Sequence, residues 1–331
     1  MTPEIQDANL ARAVELLKSG RLVAFPTETV YGLGADATNS EAVAQIFRAK
    51  GRPATNPLIV HVPDATLARR YVTHWPPYAV RLSQAFWPGP LTLVLPKSDA
   101  IAAQVTAGLP SVGLRAPSHP LALSLLKAFD GPIAAPSANR ANRVSPTTAE
   151  HVREELGDLV DLILDGGACR VGIESTVLDL TSDPPTLLRP GAITQTQIES
   201  LVGPIRTLTQ TIDARPALSP GLGSVHYAPK ARAWRFTADQ YGTILEWQKD
   251  HPTDRVAVVL LVDSPADSAL SRVVDSRIVM PDTPDEYARR LYSALREADA
   301  PTITDIFIEL PPDDAQWTAV HDRLRRATRP V

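Results

Sequence analysis

Cysteine occurs once in the 331 residues, at Cys169. A single thiol cannot close an internal disulfide and cannot alone build a metal site, so disulfide-framed and zinc-clustered classes drop out. No run of about 18 apolar residues occurs, so a membrane span is not expected. The N-terminal MTPEIQDANLARAVELLKSG starts acidic and has no apolar stretch bounded by small residues, which argues against a secretory leader. Together these absences point to a reducing cytoplasm. Aromatic residues make up only 5%, too few for the stacking platforms that hold single-stranded nucleic acid. Neither sign of charge is in excess. The net charge is −4, with 17 basic against 19 acidic residues in 1–205 and 16 against 18 in 206–331. A body that binds nucleic acid by neutralising phosphates is strongly basic, so any positive field here must be local.

At 44% hydrophobic and 21% charged, the composition is that of a globular protein. Its length exceeds one ordinary core and suggests two domains. Residues 1–206 alternate helical patterns with short apolar runs. ANLARAVELLKSG carries apolar residues at helical spacing and stops at Gly20, a C-cap. Asn39 or Ser40 can cap a helix through Lys50. PLIVHV, LTLVLP, VGLRAP, PIAAPS, LVDLILD and STVLDL read as strands, which indicates an α/β or α+β sheet domain. The pattern lapses over residues 207–231, read as an interdomain linker. Residues 232–331 form a smaller α/β domain. In it RVAVVLLV is apolar on both faces, as in parallel sheets. Thr283-Pro284-Asp285-Glu286 is a capping box opening a helix with Ala288, Leu291, Tyr292 and Leu295 on one stripe.

The loops after the strands of the first domain carry the chemistry. PTETVYGLGADA contains GLGADA, which imitates a dinucleotide fingerprint. A genuine fingerprint follows its strand at once and has an acidic residue about 20 positions on. Here Pro26 to Tyr31 intervene, and KGRPATN stands where the acid should be. No G-x-x-x-x-G-K-[ST], G-x-S-x-G or H-E-x-x-H is present. In Lys50-Gly51-Arg52-Pro53, with Asn56 beyond, the cations could simply favour a helix C-terminus. The rigid turn around them suits a polyphosphate instead. Arg115 ends an apolar strand, where it needs either an internal ion pair or a substrate carboxylate. PSANRANRVSP, residues 136–146, is either a solvated loop or a polar cradle. GIESTVLDL and LLRPGAI, with Arg189, complete the set. Loops so furnished in a nearly neutral domain argue for a binder of a nucleotide and a carboxylate.

PTETVYGLG, KGRPATNPLIVH, FWPGPLT, VGLRAP, PSAN and ESTVLDL, in this order over about residues 8–200, resemble the YrdC-like domain of threonylcarbamoyl-AMP synthases. The later SPG and HYAP elements and the added domain are similar to the family's longer, two-domain members. The resemblance implies an open twisted α/β sheet with a positive cavity, followed by a smaller Rossmann-like α/β domain. It implies synthesis of threonylcarbamoyl-adenylate from L-threonine, bicarbonate or CO2, and ATP, with Mg2+ accompanying ATP and no metal site in the protein. This would be the first step of a tRNA modification, handing its product to a threonylcarbamoyl transferase. Position by position it assigns Thr29, His61, Arg115, Ala135 and Ser175 to threonine. It assigns Lys50, Arg52, Asn56, Ser111, Ser137, Asn139, Ser145 and Arg189 to ATP, with Tyr227 closing over the nucleotide. Residues 219–229 would act as a lid, although Leu222 to Val225 lack the basic or aromatic residue that longer members often carry before HYAP. Two rivals stand beside this reading: an enzyme of the same domain with a changed substrate, either another amine or a carbamoyl-AMP role, and a non-enzymatic, weak RNA-binding module that uses the concave surface.

Overall fold

The computed structural model describes residues 3–208 and 227–331, which fall into two compact units. Among these residues, the first unit takes 3–141 and 145–208 and the second takes 142–144 and 227–331. Most of the expected linker, including Ser219, Pro220 and the Leu222–Val225 stretch, lies outside the described residues.

A ten-stranded mixed sheet carries the first unit. Its strands are β1 (Val23–Phe25), β2 (Gly32–Asp36), β3 (Ile59–His61), β4 (Leu91–Pro96), β5 (Ser111–Arg115), β6 (Ile133–Ala134), β7 (Leu162–Ile163), β8 (Thr176–Asp179), β9 (Thr186–Arg189) and β10 (Arg206–Thr207). They lie in the order β10-β9-β8-β4-β5-β3-β6-β2-β1-β7. Successive side chains on a strand point to opposite faces, and this alternation sorts the sequence. Val60 of β3, Leu91, Leu93 and Leu95 of β4, and Val112 and Leu114 of β5 enter the main core. There they meet Val43 and Ile46 of helix Ser40–Lys50, Leu82 of Pro77–Phe86, Val152 of Ala149–Leu156 and Ile198 of Gln195–Val202. Ile59 and His61, Thr92 and Val94, and Ser111, Gly113 and Arg115 therefore share the other face.

The apolar packing on that second face is thickest at one end. Over β1 and β6, helices Pro3–Lys18 and Pro120–Phe129 bury Leu17, Phe25, Leu125 and Ile133. Over β4, β8 and β9 the buried apolar group shrinks to Val94, Val177 and Leu188. Between them lies a narrow cleft of only about 10 Å³, lined by Ile59, Thr92, Thr106, Ser111, Gly113 and Val177.

One strand differs from the sequence expectation. Gly32–Asp36, read as part of a loop, is β2, antiparallel to both β1 and β6. A Cβ on Gly34 would stand 2.8 Å from Phe25 and 2.9 Å from an Ile133 methyl. The glycine therefore serves close packing inside the sheet, which disposes of the dinucleotide reading of GLGADA.

The second unit is a five-stranded, wholly parallel sheet: β11 (Arg232–Phe236), β12 (Val256–Leu261), β13 (Ser276–Met280), β14 (Asp305–Glu309) and β15 (Arg329–Pro330). The order is β13-β12-β14-β11-β15. Helix Pro284–Ala298 buries Ala288, Leu291, Tyr292 and Leu295, the expected stripe. Its capping box forms differently from the sequence pattern. Thr283 Oγ1 donates to Glu286 Oε2 at 2.8 Å, and the Thr283 side chain caps no backbone N–H. The acid next door takes the hydroxyl that would otherwise have served the helix end.

Candidate active site

The helix Ser40–Lys50 starts on Asn39, whose side chain accepts from the Glu41 and Ala42 N–H groups. It ends at Gly51 in the left-handed region, φ +60°. The Gly51 N–H reaches Arg48 O at 3.3 Å and the Arg52 N–H reaches Phe47 O at 3.0 Å, a reversal that turns Lys50 and Arg52 inward. Both are buried. Lys50 Nζ donates to Ser137 O at 2.5 Å and also to Asn139 O. Burial, and then the neighbouring Arg52 charge, pull its pKa well below the ordinary lysine range. Arg52 Nε donates to Asn56 O at 3.3 Å and Nη2 to Pro57 O at 3.1 Å. Carbonyl oxygens thus fix the positions of both side chains.

Arg115 lies beside His61 in register across β5 and β3. Its Nη2 stands 2.7 Å from Glu28 Oε1, and its Nε donates to Gly89 O at 3.3 Å. Glu28 also accepts the Ser118 N–H at 3.0 Å. Of the two alternatives for Arg115, the internal ion pair is thus present. It does not consume the guanidinium, which has five donors in a fork. His61 is buried, and burial followed by the Arg115 charge lowers its pKa to about 3. It is neutral at pH 7 and offers hydrogen bonds rather than charge. Phe25 presents its edge to the ring at 5.9 Å, and Nδ1 has no hydrogen-bond partner among the described residues. An unpaired buried nitrogen of this kind costs about 1–3 kcal/mol, which a bound ligand can recover.

Thr29 sits in the same loop as Glu28, its Oγ1 2.8 Å from that of Thr27. The Thr29 and Glu28 carbonyls accept the N–H groups of Gly172 at 3.2 Å and Val171 at 2.7 Å, tying the loop to the segment that leads to β8. Ala135 follows β6, donates its N–H to Ile59 O at 2.9 Å and is buried in the same apolar group as Phe25 and Ile133. Ser137 continues this pairing against Gly32. Ser175 Oγ lies 2.8 Å from Thr92 Oγ1 and accepts from Arg189 Nη2 at 3.1 Å, while Arg189 Nε donates to Ser175 O at 3.0 Å. Ser145 Oγ donates to Glu174 Oε1 at 2.6 Å, and Asn139 Nδ2 to Arg140 O at 2.8 Å. Ser111 lines the cleft. Tyr227 belongs to the second unit, where it is buried against Tyr292, ring centroids 5.6 Å apart, with the Arg323 guanidinium 5.6 Å over its ring.

Three side chains here were not singled out from the sequence. Glu28 and Glu174 lie inside quoted motifs, but an acid in a site chosen for anions attracts no notice. Thr92 is the polar break in LTLVL, and strict alternation would have placed it on the Arg115 face. Cys169 is buried and its thiol is pushed up to about 12, so it is inert.

Comparison with known proteins places this geometry. Residues 15–191 match the Sua5–YciO–YrdC family, described as telomere recombination, and residues 193–328 match the threonylcarbamoyl-AMP synthase C-terminal domain. A threonylcarbamoyl-AMP synthase of Pyrococcus abyssi is 39% identical over 98% of this chain and 95% of its own length. One from Bacillus subtilis is 42% identical over 97% and 93%. The crystal structure of P. abyssi Sua5 complexed with L-threonine superposes with a TM-score of 0.89 at 40% identity, covering 97% of this chain and 96% of that one. Matched at both units and along nearly its whole length, the chain belongs to the threonylcarbamoyl-AMP synthase family, in its two-domain form.

Proposed function

We propose that this chain condenses L-threonine, CO2 or bicarbonate, and ATP into threonylcarbamoyl-adenylate and releases pyrophosphate. The observation that carries the reading is a buried, neutral His61 whose Nδ1 has no hydrogen-bond partner among the described residues, in register beside Arg115. Arg115 takes the threonine carboxylate on its remaining donors while Glu28 holds its orientation. Thr29, His61, Ala135 and Ser175 surround the amino acid. Lys50 and Arg52 hold the phosphates, with Asn56, Ser111, Ser137, Asn139, Ser145 and Arg189 shaping the nucleotide's place.

The threonine amine adds to CO2 and loses a proton, giving a carbamate. A carbamate oxygen then attacks the α-phosphorus of ATP, and the bond to the β-phosphate oxygen breaks as pyrophosphate leaves. The fixed cations offset charge on the α-phosphate and the leaving group, and no nucleophilic side chain is required. Holding the short-lived carbamate against ATP supplies proximity and keeps water away. Magnesium would accompany ATP and would supply neutralisation of phosphate charge as pyrophosphate leaves. The product would pass to a threonylcarbamoyl transferase acting on tRNA, in the cytoplasm. Pyrophosphate release tests the proposal. It should require threonine, bicarbonate and ATP together, and equal release in CO2-depleted buffer would refute the carbamate route.

A further inference from the structure

The parallel sheet of the second unit has a crevice that the synthase reaction leaves unused. The helices that follow β11 and β12 share one core, in which Ile244, Ala266 and Leu270 pack on Phe236, Val258 and Phe307. The helices that follow β13 and β14, Pro284–Ala298 and Thr318–Ala327, pack against each other. Strand β14 lies between β12 and β11, so the chain leaving it turns to the opposite side from both neighbours. In open parallel sheets, ligands bind outside the carboxyl ends of strands at such a switch point. An open cleft of about 470 Å³ lies there. Its walls include Thr237 after β11, Leu261 and Glu309 at the ends of β12 and β14, and His321 and Arg325 of the last helix.

The cleft is lined by charges of both signs, Arg235 and Arg325 with Glu309 and the exposed Asp313, which lies 4.0 Å from His321 Nε2. Arg232, Arg255, Arg277, Arg290, Arg323 and Arg326 each hold a carboxylate. Arg235, in the cleft wall, instead donates to Thr328 O at 2.6 Å, and neither it nor Arg325 has an ion pair among the described residues. Burial lowers the Arg235 pKa, and the nearby Arg325 charge lowers it further. Two guanidiniums that repel each other at a cleft wall favour an anion between them. Glu309 is buried on the same cleft and accepts the Leu261 N–H at 2.9 Å. Its carboxylate can also accept from a ligand.

We propose that the second unit holds a separate small-molecule site in this cleft. It takes a compact metabolite whose phosphate or carboxylate sits between Arg235 and Arg325 and whose hydrogen-bond donor faces Glu309. None of these residues belongs to the synthase reading, so the two can fail independently.

The test uses the full-length chain with isotope-labelled histidines. The His321 resonance is identified by its loss in His321→Gln, since His321 is a buried cleft residue with Nε2 3.0 Å from Pro312 O. Phosphoethanolamine and, separately, β-alanine are titrated at constant ionic strength against sodium chloride. The proposal expects a saturable shift with at least one of them; the responding probe assigns phosphate or carboxylate. Arg325→Gln, an exposed and fold-neutral change, should raise the midpoint by about tenfold or more, equivalent to about 1.4 kcal/mol. Arg235→Gln should do the same. No shift with either probe, a shift matched by chloride, or a midpoint unchanged in Arg325→Gln would overturn it.

Discussion

Arg115 answers to two carboxylates at once, one from the protein and one from the proposed substrate, and substitutions can separate these duties. Arg115→Ala strands a buried Glu28, which typically costs about 3–5 kcal/mol of stability. Arg115→Lys keeps a positive charge opposite Glu28 but loses the fork. The lysine variant should therefore recover most of the melting temperature while threonine affinity stays at least about tenfold weakened, a loss of about 1.4 kcal/mol. Calorimetric titration with threonine, run beside thermal melts, checks this. Full recovery of threonine binding in the lysine variant would reduce Arg115 to a structural ion pair. His61 gives a second test at this scale. Its folded pKa is about 3 against an ordinary value of about 6.5, so the unfolded chain binds the proton more readily. Its contribution to stability is complete above the unfolded value and is lost as pH falls from about 6.5 toward 3. His61→Gln cannot titrate, so its melting temperature should fall less than the parent's between pH 7.5 and 5.5. An equal fall in both would show that His61 is not held neutral by burial.

Strand alternation and a single helix terminus do most to assemble the site. Gly51 has φ +60° with open space around the position where a Cβ would stand, so the cost of Gly51→Ala is backbone strain alone. We expect about 1 kcal/mol of destabilisation. We also expect a rise in the KM for ATP that exceeds any change for threonine, because the turn aims Lys50 and Arg52. Steady-state kinetics with each substrate varied in turn would show it, and equal changes in both constants would contradict the assignment. At this scale much of the fold is legible in the sequence. The Leu–Val alternation of LTLVL and SVGLR predicts which residues face the core, and Gly20, Asn39 and Gly51 mark helix ends by their chemistry. What stays hidden depends on contacts distant in sequence. Gly34 reads as a loop residue until Phe25 and Ile133 are seen against it. Nothing near Arg115 announces that its partner is Glu28, 87 positions earlier. Residues 142–144 likewise group with the second unit although they lie within the first unit's stretch of chain.

Over the whole molecule, near-balanced charge coexists with a site built from fixed cations. On the proposed function, such an arrangement lets a nearly neutral protein hold a polyphosphate without becoming a general ligand for nucleic acid. The rival RNA-binding reading predicts steeply salt-dependent binding to duplex RNA, whereas the synthase reading predicts salt-tolerant turnover, because the charges are buried. The central claim concerns what is joined to what. The full-length protein, incubated with ¹³C-bicarbonate, labelled threonine and ATP and examined promptly by ³¹P and ¹³C spectroscopy, should yield one product containing all three. In it the bicarbonate carbon is bonded to the threonine nitrogen and linked through oxygen to the AMP phosphorus, which shows as carbon–phosphorus coupling. An adenylate formed directly on the threonine carboxylate, without the bicarbonate carbon, would contradict the account.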